Sequence, residues 1–155
     1  MGGVMSKRSW LSPLLVLAAV VGACGGGDST GPSDANLAGV WTLSATNMSG
    51  QGVSCSLGPT PVTISQSGGT FTGTYGPGTV TCFAGSQSAS VDIQGTIVSG
   101  TVDVNAVQFD LDTQDVRHSG TVSGNSMSGT ARWTFDLGGS VGVVTLNGNW
   151  AAARQ

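Results

Sequence analysis

Few side chains in this 155-residue chain are equipped for chemistry. The one histidine, His118, ends the run Asp110-Leu-Asp112-Thr-Gln-Asp115-Val-Arg117-His118. If that run caps a hairpin, Asp112, Asp115 and His118 meet at its end, and carboxylates beside an imidazole are metal ligands. A calcium ion asks for six or more oxygens, however, and the run offers three carboxylates without a glycine-stabilised loop. A solvated turn with local Asp–Arg pairing is therefore preferred over a metal centre. Nucleophilic catalysis has little to build on. Serines abound, but no Gly-x-Ser-x-Gly stretch falls on the strand-to-helix turn that makes a nucleophile elbow. Two-carboxylate glycosidase chemistry depends on a separation that only a structure supplies. With one His, no Glu and a single Lys at position 7, general acid–base options are few, so no enzyme and no cofactor are expected.

The charge pattern excludes a further class. Charged residues make up 8% of the chain and the formal net charge is −3. Beyond residue 23 the only cations are Arg117, Arg132 and Arg154, set against eight aspartates. Nucleic-acid binding needs a field of Lys and Arg, which is missing. Glycine, at 26 residues, and the many Thr and Val stand where a helical protein would have Ala, Glu, Lys and Leu, so strands are expected throughout.

The first residues read as an export signal. Lys7 and Arg8 precede an apolar run from Trp10 to Val21. That run is too short for a spanning helix, which takes about 20 apolar residues, and it has the length and flanks of a secretory h-region. Its end, Val21-Gly22-Ala23-Cys24, resembles the lipobox of bacterial lipoproteins, with Gly22 standing where Ala or Ser is more usual. The resemblance implies cleavage after residue 23, lipidation of Cys24 and a membrane anchor in the cell envelope. An ordinary signal peptide cut nearby is the alternative. Gly25 stands where some enterobacterial lipoproteins carry the Asp that keeps them at the inner membrane, so in a Gram-negative cell an outer-membrane address is implied. Residues 24–36 follow, dominated by Gly, Ser and Pro, and read as a flexible tether. With Cys24 assigned to lipid, Cys55 and Cys82 remain as a pair. A structural disulfide is expected, because metal binding would need partners that are absent.

From residue 37 to 155 the pattern is period-two alternation. Trp41, Leu43 and Ala45 share a face, as do Phe71, Gly73 and Tyr75; Val80, Cys82 and Ala84; Val91 and Ile93; and Val107, Phe109 and Leu111. Met127 to Leu137 and Val144 to Trp150 continue the series. Turn chemistry lies between, at Gly68-Gly69, Gly76-Pro77-Gly78, Asn105, Gly124-Asn125 and Gly138-Gly139. Short links join antiparallel neighbours. The predicted fold is all-β, an antiparallel meander closed into a small up-and-down barrel of about eight strands. The echo of Ser99-Gly-Thr-Val102 in Ser119-Gly-Thr-Val122 fits repeated hairpins, and its irregular spacing argues against a solenoid. Inward-facing Gly73, Gly129 and Ala131 suggest room inside, for close backbone packing or for a ligand.

Gly39-Val40-Trp41 opens the first strand and Trp150 and Arg154 end the last. These residues resemble the calycin barrels, lipocalins and avidins, which begin with Gly-x-Trp, and lipocalins pack an Arg across that Trp at the closed end. Gly69-Thr-Phe-Thr-Gly-Thr-Tyr75 is similar to an avidin hairpin strand. The lipocalin middle motif is missing and the biotin-contacting residues have no match. The resemblance implies barrel closure through Gly39, Trp41, Trp150 and Arg154. Two functional classes follow: a barrel holding a small apolar or amphipathic ligand in its mouth, or a solid scaffold whose Thr- and Ser-rich surface contacts an envelope protein or glycan.

Overall fold

The computed structural model describes residues 32–111, 115–136 and 142–155. The export segment, Cys24 and Asp112 lie outside the described residues. Eight strands follow in order: β1 (Gly39–Gly50), β2 (Val53–Ser67), β3 (Thr70–Ala84), β4 (Gln87–Asp103), β5 (Ala106–Leu111), β6 (Asp115–Ser123), β7 (Ser126–Asp136) and β8 (Val143–Arg154). Each pairs antiparallel with the next, and β8 returns to β1, closing an up-and-down barrel. The predicted closure is present: Trp41 stands opposite Arg154, and Ala45 opposite Trp150.

Alternation produces this closure because every strand sends one row of apolar side chains inward. Trp41, Leu43 and Ala45 of β1, Leu57, Val62 and Ile64 of β2, and Trp133, Leu146 and Trp150 from the far side are all buried. The outward rows are Thr and Ser, linked across strands by pairs such as Thr81 with Ser90 and Thr134 with Thr145. This polarity is the reverse of a barrel that crosses a bilayer, which wears its apolar band outside.

Two sequence expectations are corrected. Gly76-Pro77-Gly78 does not reverse the chain. It forms a bulge within β3, between the pairs Tyr75–Gly95 and Gly78–Ile93, so two expected strands are one. Residues 32–36, expected to be tether, belong to the compact unit, which begins at Pro32. Within that stretch, Ala35 donates to Val104 O at 2.7 Å and Asp34 Oδ1 accepts from Val104 N at 2.8 Å. Of the two readings of the inward glycines, close backbone packing is the one the structure has. A Cβ at Gly129 would strike Ser119 O and one at Gly73 would strike Thr63 O, so neighbouring backbone already fills those gaps.

One end is sealed by the chain's own start. Leu37 is fully buried, and its carbonyl accepts from Trp41 Nε1 at 2.8 Å. The Arg154 guanidinium lies 4.4 Å from the centre of the Trp41 ring and donates to the carbonyls of Ala38 and Asn36. At the other end Cys55 of β2 and Cys82 of β3 are direct cross-strand partners and form a disulfide. The core, the staple and both terminal strands thus lie within Pro32–Gln155, which closes on itself as a unit. On the chain-entropy model a loop spanning 27 residues is worth about 3–4 kcal/mol. The Cys55→Ser, Cys82→Ser double variant should lose about that much in denaturant unfolding. An unchanged midpoint under non-reducing conditions would contradict it.

Candidate functional site

His118 is not at a hairpin end. It sits on the inner face of β6, 2% exposed, between Phe109 of β5 and Ala131 of β7 in the cross-strand register. The Phe109 ring stacks on it at 4.5 Å with planes 3° apart, and Trp150 meets both rings edge-on. The small Ala131 leaves width for these rings. Trp133 Nε1 donates to His118 Nε2 over 3.5 Å, which puts the imidazole proton on Nδ1. That nitrogen has no hydrogen-bond partner among the described residues. Loss of water in this aromatic box lowers the His118 pKa from 6.5 to about 3, so the ring is neutral.

Asp115 lies three residues earlier on the same strand and therefore on the opposite face. It is exposed and pairs with Arg117 Nε at 3.0 Å, while Asp110 lies 4.0 Å from the same nitrogen. Asp115 and His118 thus do not converge, and among the described residues no group of three His, Cys or Asp side chains is placed to hold a metal. The strand pitch separates them: an i, i+3 pair in a strand points to opposite sides. The Asp–Arg pairing expected of a turn exists, but as a surface contact worth little.

Inside the barrel, the space left between Trp41, Phe71, Phe109, Met127 and Trp150 is about 10 Å³, no more than one water requires. Larger concavities lie elsewhere, and two of them bear on function. The first is at the disulfide end, where β3 and β4 run on past their neighbours. β4 has 17 residues and the described part of β5 has six; among the described residues β5 pairs with β4 only from Ile97 onward, and the far half of β4 has β3 alone as its neighbour. The inner face of that extension, with Val80, Cys82, Ala84, Ala89 and Val91, looks across to Phe135, Val144 and Leu146. The depression between them holds about 330 Å³ and is almost wholly apolar. Val91 stays 61% exposed and Phe83, nearby, 50%.

The second concavity, about 640 Å³, is on the outer face of β4 to β8 and is lined mostly by polar and charged residues. Arg117 and Arg132 stand directly opposite each other there, flanked by Asp110, Gln108, Thr130 and Asn147.

Sequence reasoning missed the rim site. Val91, Ala84 and Cys82 read as ordinary inward positions, and their exposure follows only from β5 being so much shorter than β4. The contrast between the long β3–β4 hairpin and the brief apolar run Val107–Leu111 is the signal that carries it. No known family, curated protein or solved structure matches this chain.

Proposed function

We propose that this chain is a lipid-anchored envelope lipoprotein whose calycin-like barrel binds a small apolar or amphipathic molecule at its disulfide-stapled rim. The observation that carries the reading is the 330 Å³ apolar depression beside an interior with about 10 Å³ to spare. Ligand pockets are concave, mostly apolar and about 300–1,000 Å³, and the rim meets that description where the interior does not. Water-exposed Val91 is an uncompensated cost in the free protein that an apolar guest would relieve. The Trp41–Arg154 stacking at the sealed end supports the calycin likeness.

Anchoring rests on the lipobox at residues 21–24. The described chain begins beside the sealed end, where Asp34 and Ala35 bond to Val104. Cys24→Ala in the full chain should move the protein from the membrane to the soluble fraction of a Gram-negative host. Retention in the membrane pellet would sink the anchor. No catalytic step is assigned, because the one imidazole is walled in by rings.

The ligand reading is tested by titrating Pro32–Gln155 with the apolar fluorophore N-phenyl-1-naphthylamine. Saturable enhancement is expected, together with a loss of at least about tenfold in affinity for Ala84→Trp, whose indole would fill the depression. No enhancement, or equal enhancement in the variant, would reject the rim site. A second reading, recognition of an acidic glycan on the outer face, has the adjacent Arg117 and Arg132 in its favour. It would gain if the fluorophore fails to bind.

A further inference from the structure

The exposed half of β4 has a second property besides its apolar face. A strand bonded on one side only offers a row of backbone donors and acceptors on the other. β4 pairs with β3 along its whole far half, from Gln87 to Ile93. With β5 it pairs only from Ile97 onward. Among the described residues, nothing pairs with the other side of Gln87–Gln94. Natural edges are usually guarded by Lys, Pro, a bulge or very short length. This one is a regular run, Gln87-Ser-Ala-Ser-Val-Asp-Ile-Gln94, with a single charge at Asp92.

We infer that this edge of β4 pairs with the same edge of a second copy of the chain, antiparallel about a two-fold axis at Val91. The sequence selects both the partner and the register. Opposed residues of an antiparallel pair share a face, so the axis must pass through a residue and not between two. Centred on Val91, the inner face reads Ala89 against Ile93 of the second copy, Val91 against Val91, and Ile93 against Ala89. On the outer face Asp92 meets Ser90 of the second copy and Gln94 meets Ser88. Asp92 already accepts from Thr79 through Oδ1 at 2.9 Å, and its other oxygen faces a hydroxyl donor in this arrangement. Centred instead on Asp92, the two carboxylates would be directly opposed, which is unfavourable. The Val91 register keeps them apart on a diagonal of about 7–8 Å.

Such an isologous contact is closed and stops at two copies. It covers only one strand edge, below the area of a permanent interface, so the dimer forms and dissociates with concentration. This proposal stands apart from ligand binding, since it rests on backbone pairing and not on the depression's volume.

Sedimentation velocity on Pro32–Gln155 over a concentration series is the test. A monomer–dimer equilibrium is expected, with a dissociation constant raised at least about tenfold by Val91→Lys, which opposes two ammonium groups at the axis. Val98→Lys, equally exposed on β4 but outside the bare edge, should leave it unchanged. Val91→Cys should be captured by mild oxidation as a covalent homodimer, because the axis places the residue against itself. A monomer at every concentration up to about 1 mM, the weak limit of specific association, would overturn the proposal. So would a dimer indifferent to Val91→Lys, or a monomer that instead takes up an added extended peptide along β4.

Discussion

Trp41→Ala should destabilise the barrel by about 3–5 kcal/mol, the range for deleting a buried large aromatic side chain. Three things are lost together. The indole is fully buried at the sealed end, its Nε1 satisfies the carbonyl of Leu37, and its face carries the Arg154 guanidinium. Removing it opens a cavity, strands a buried acceptor and leaves Arg154 held only by the carbonyls of Ala38 and Asn36. Because Leu37 and Arg154 belong to the two chain ends, the loss falls on the seam where β1 meets β8. For a unit of this size the melting temperature should drop by roughly 10–20 °C. Val40→Ala, one residue away on the outer face, should stay within about 0.5 kcal/mol. A near-neutral Trp41→Ala would mean that the ring does not fill the barrel's end.

Acid should weaken the barrel through His118, and His118→Phe should remove that sensitivity. In the folded chain the imidazole accepts a proton only near pH 3, whereas unfolded it does so near 6.5. Between those values the unfolded state binds the extra proton, so stability rises with pH and is lost as pH falls below 6.5. The slope contributed by this one group approaches about 1.4 kcal/mol per pH unit in the middle of the window. The rings on its flanks, Phe109, Trp133 and Trp150, supply no carboxylate to hold the imidazolium. Phenylalanine keeps the stack on Phe109 and gives up only the long contact from Trp133. Urea unfolding at pH 4 and pH 7 should show a large difference in the native chain that shrinks in the variant. Equal differences in both would put the acid-sensitive group elsewhere.

The barrel was legible in the sequence because alternation, turn residues and the terminal aromatic residues all report the same local variable, the face a side chain takes. Trp41, Trp150 and Arg154 were expected at one seam from the calycin resemblance, and β8 pairs with β1 there. The disulfide was expected from pairing Cys55 with Cys82, and the two prove to be cross-strand neighbours. What failed was whatever depends on register between distant strands. Gly76-Pro77-Gly78 has the composition of a turn, but β2 and β4 on either side hold the chain straight and absorb the extra residue as a bulge. His118 was read from its acidic neighbours in sequence, yet β6 turns alternate residues apart and delivers it to Phe109 and Trp133 instead. Gly129 left close packing and ligand space both open, and only register decides for packing, because Ser119 and Gly120 of the neighbouring strand occupy the place of a side chain there.

The rim, the proposed binding site, is the least legible part. No single residue announces it. It arises from a mismatch of lengths, with β3 and β4 at 15 and 17 residues beside β5 at six. The most direct test of a rim that carries a guest is native mass spectrometry of Pro32–Gln155 purified from an oxidising compartment, beside Ala84→Trp made the same way. The expected result is a discrete extra mass on the native chain that leaves on denaturation and is missing from the variant. A bare mass for both proteins, with no uptake of the fluorophore, would contradict the ligand-binding account.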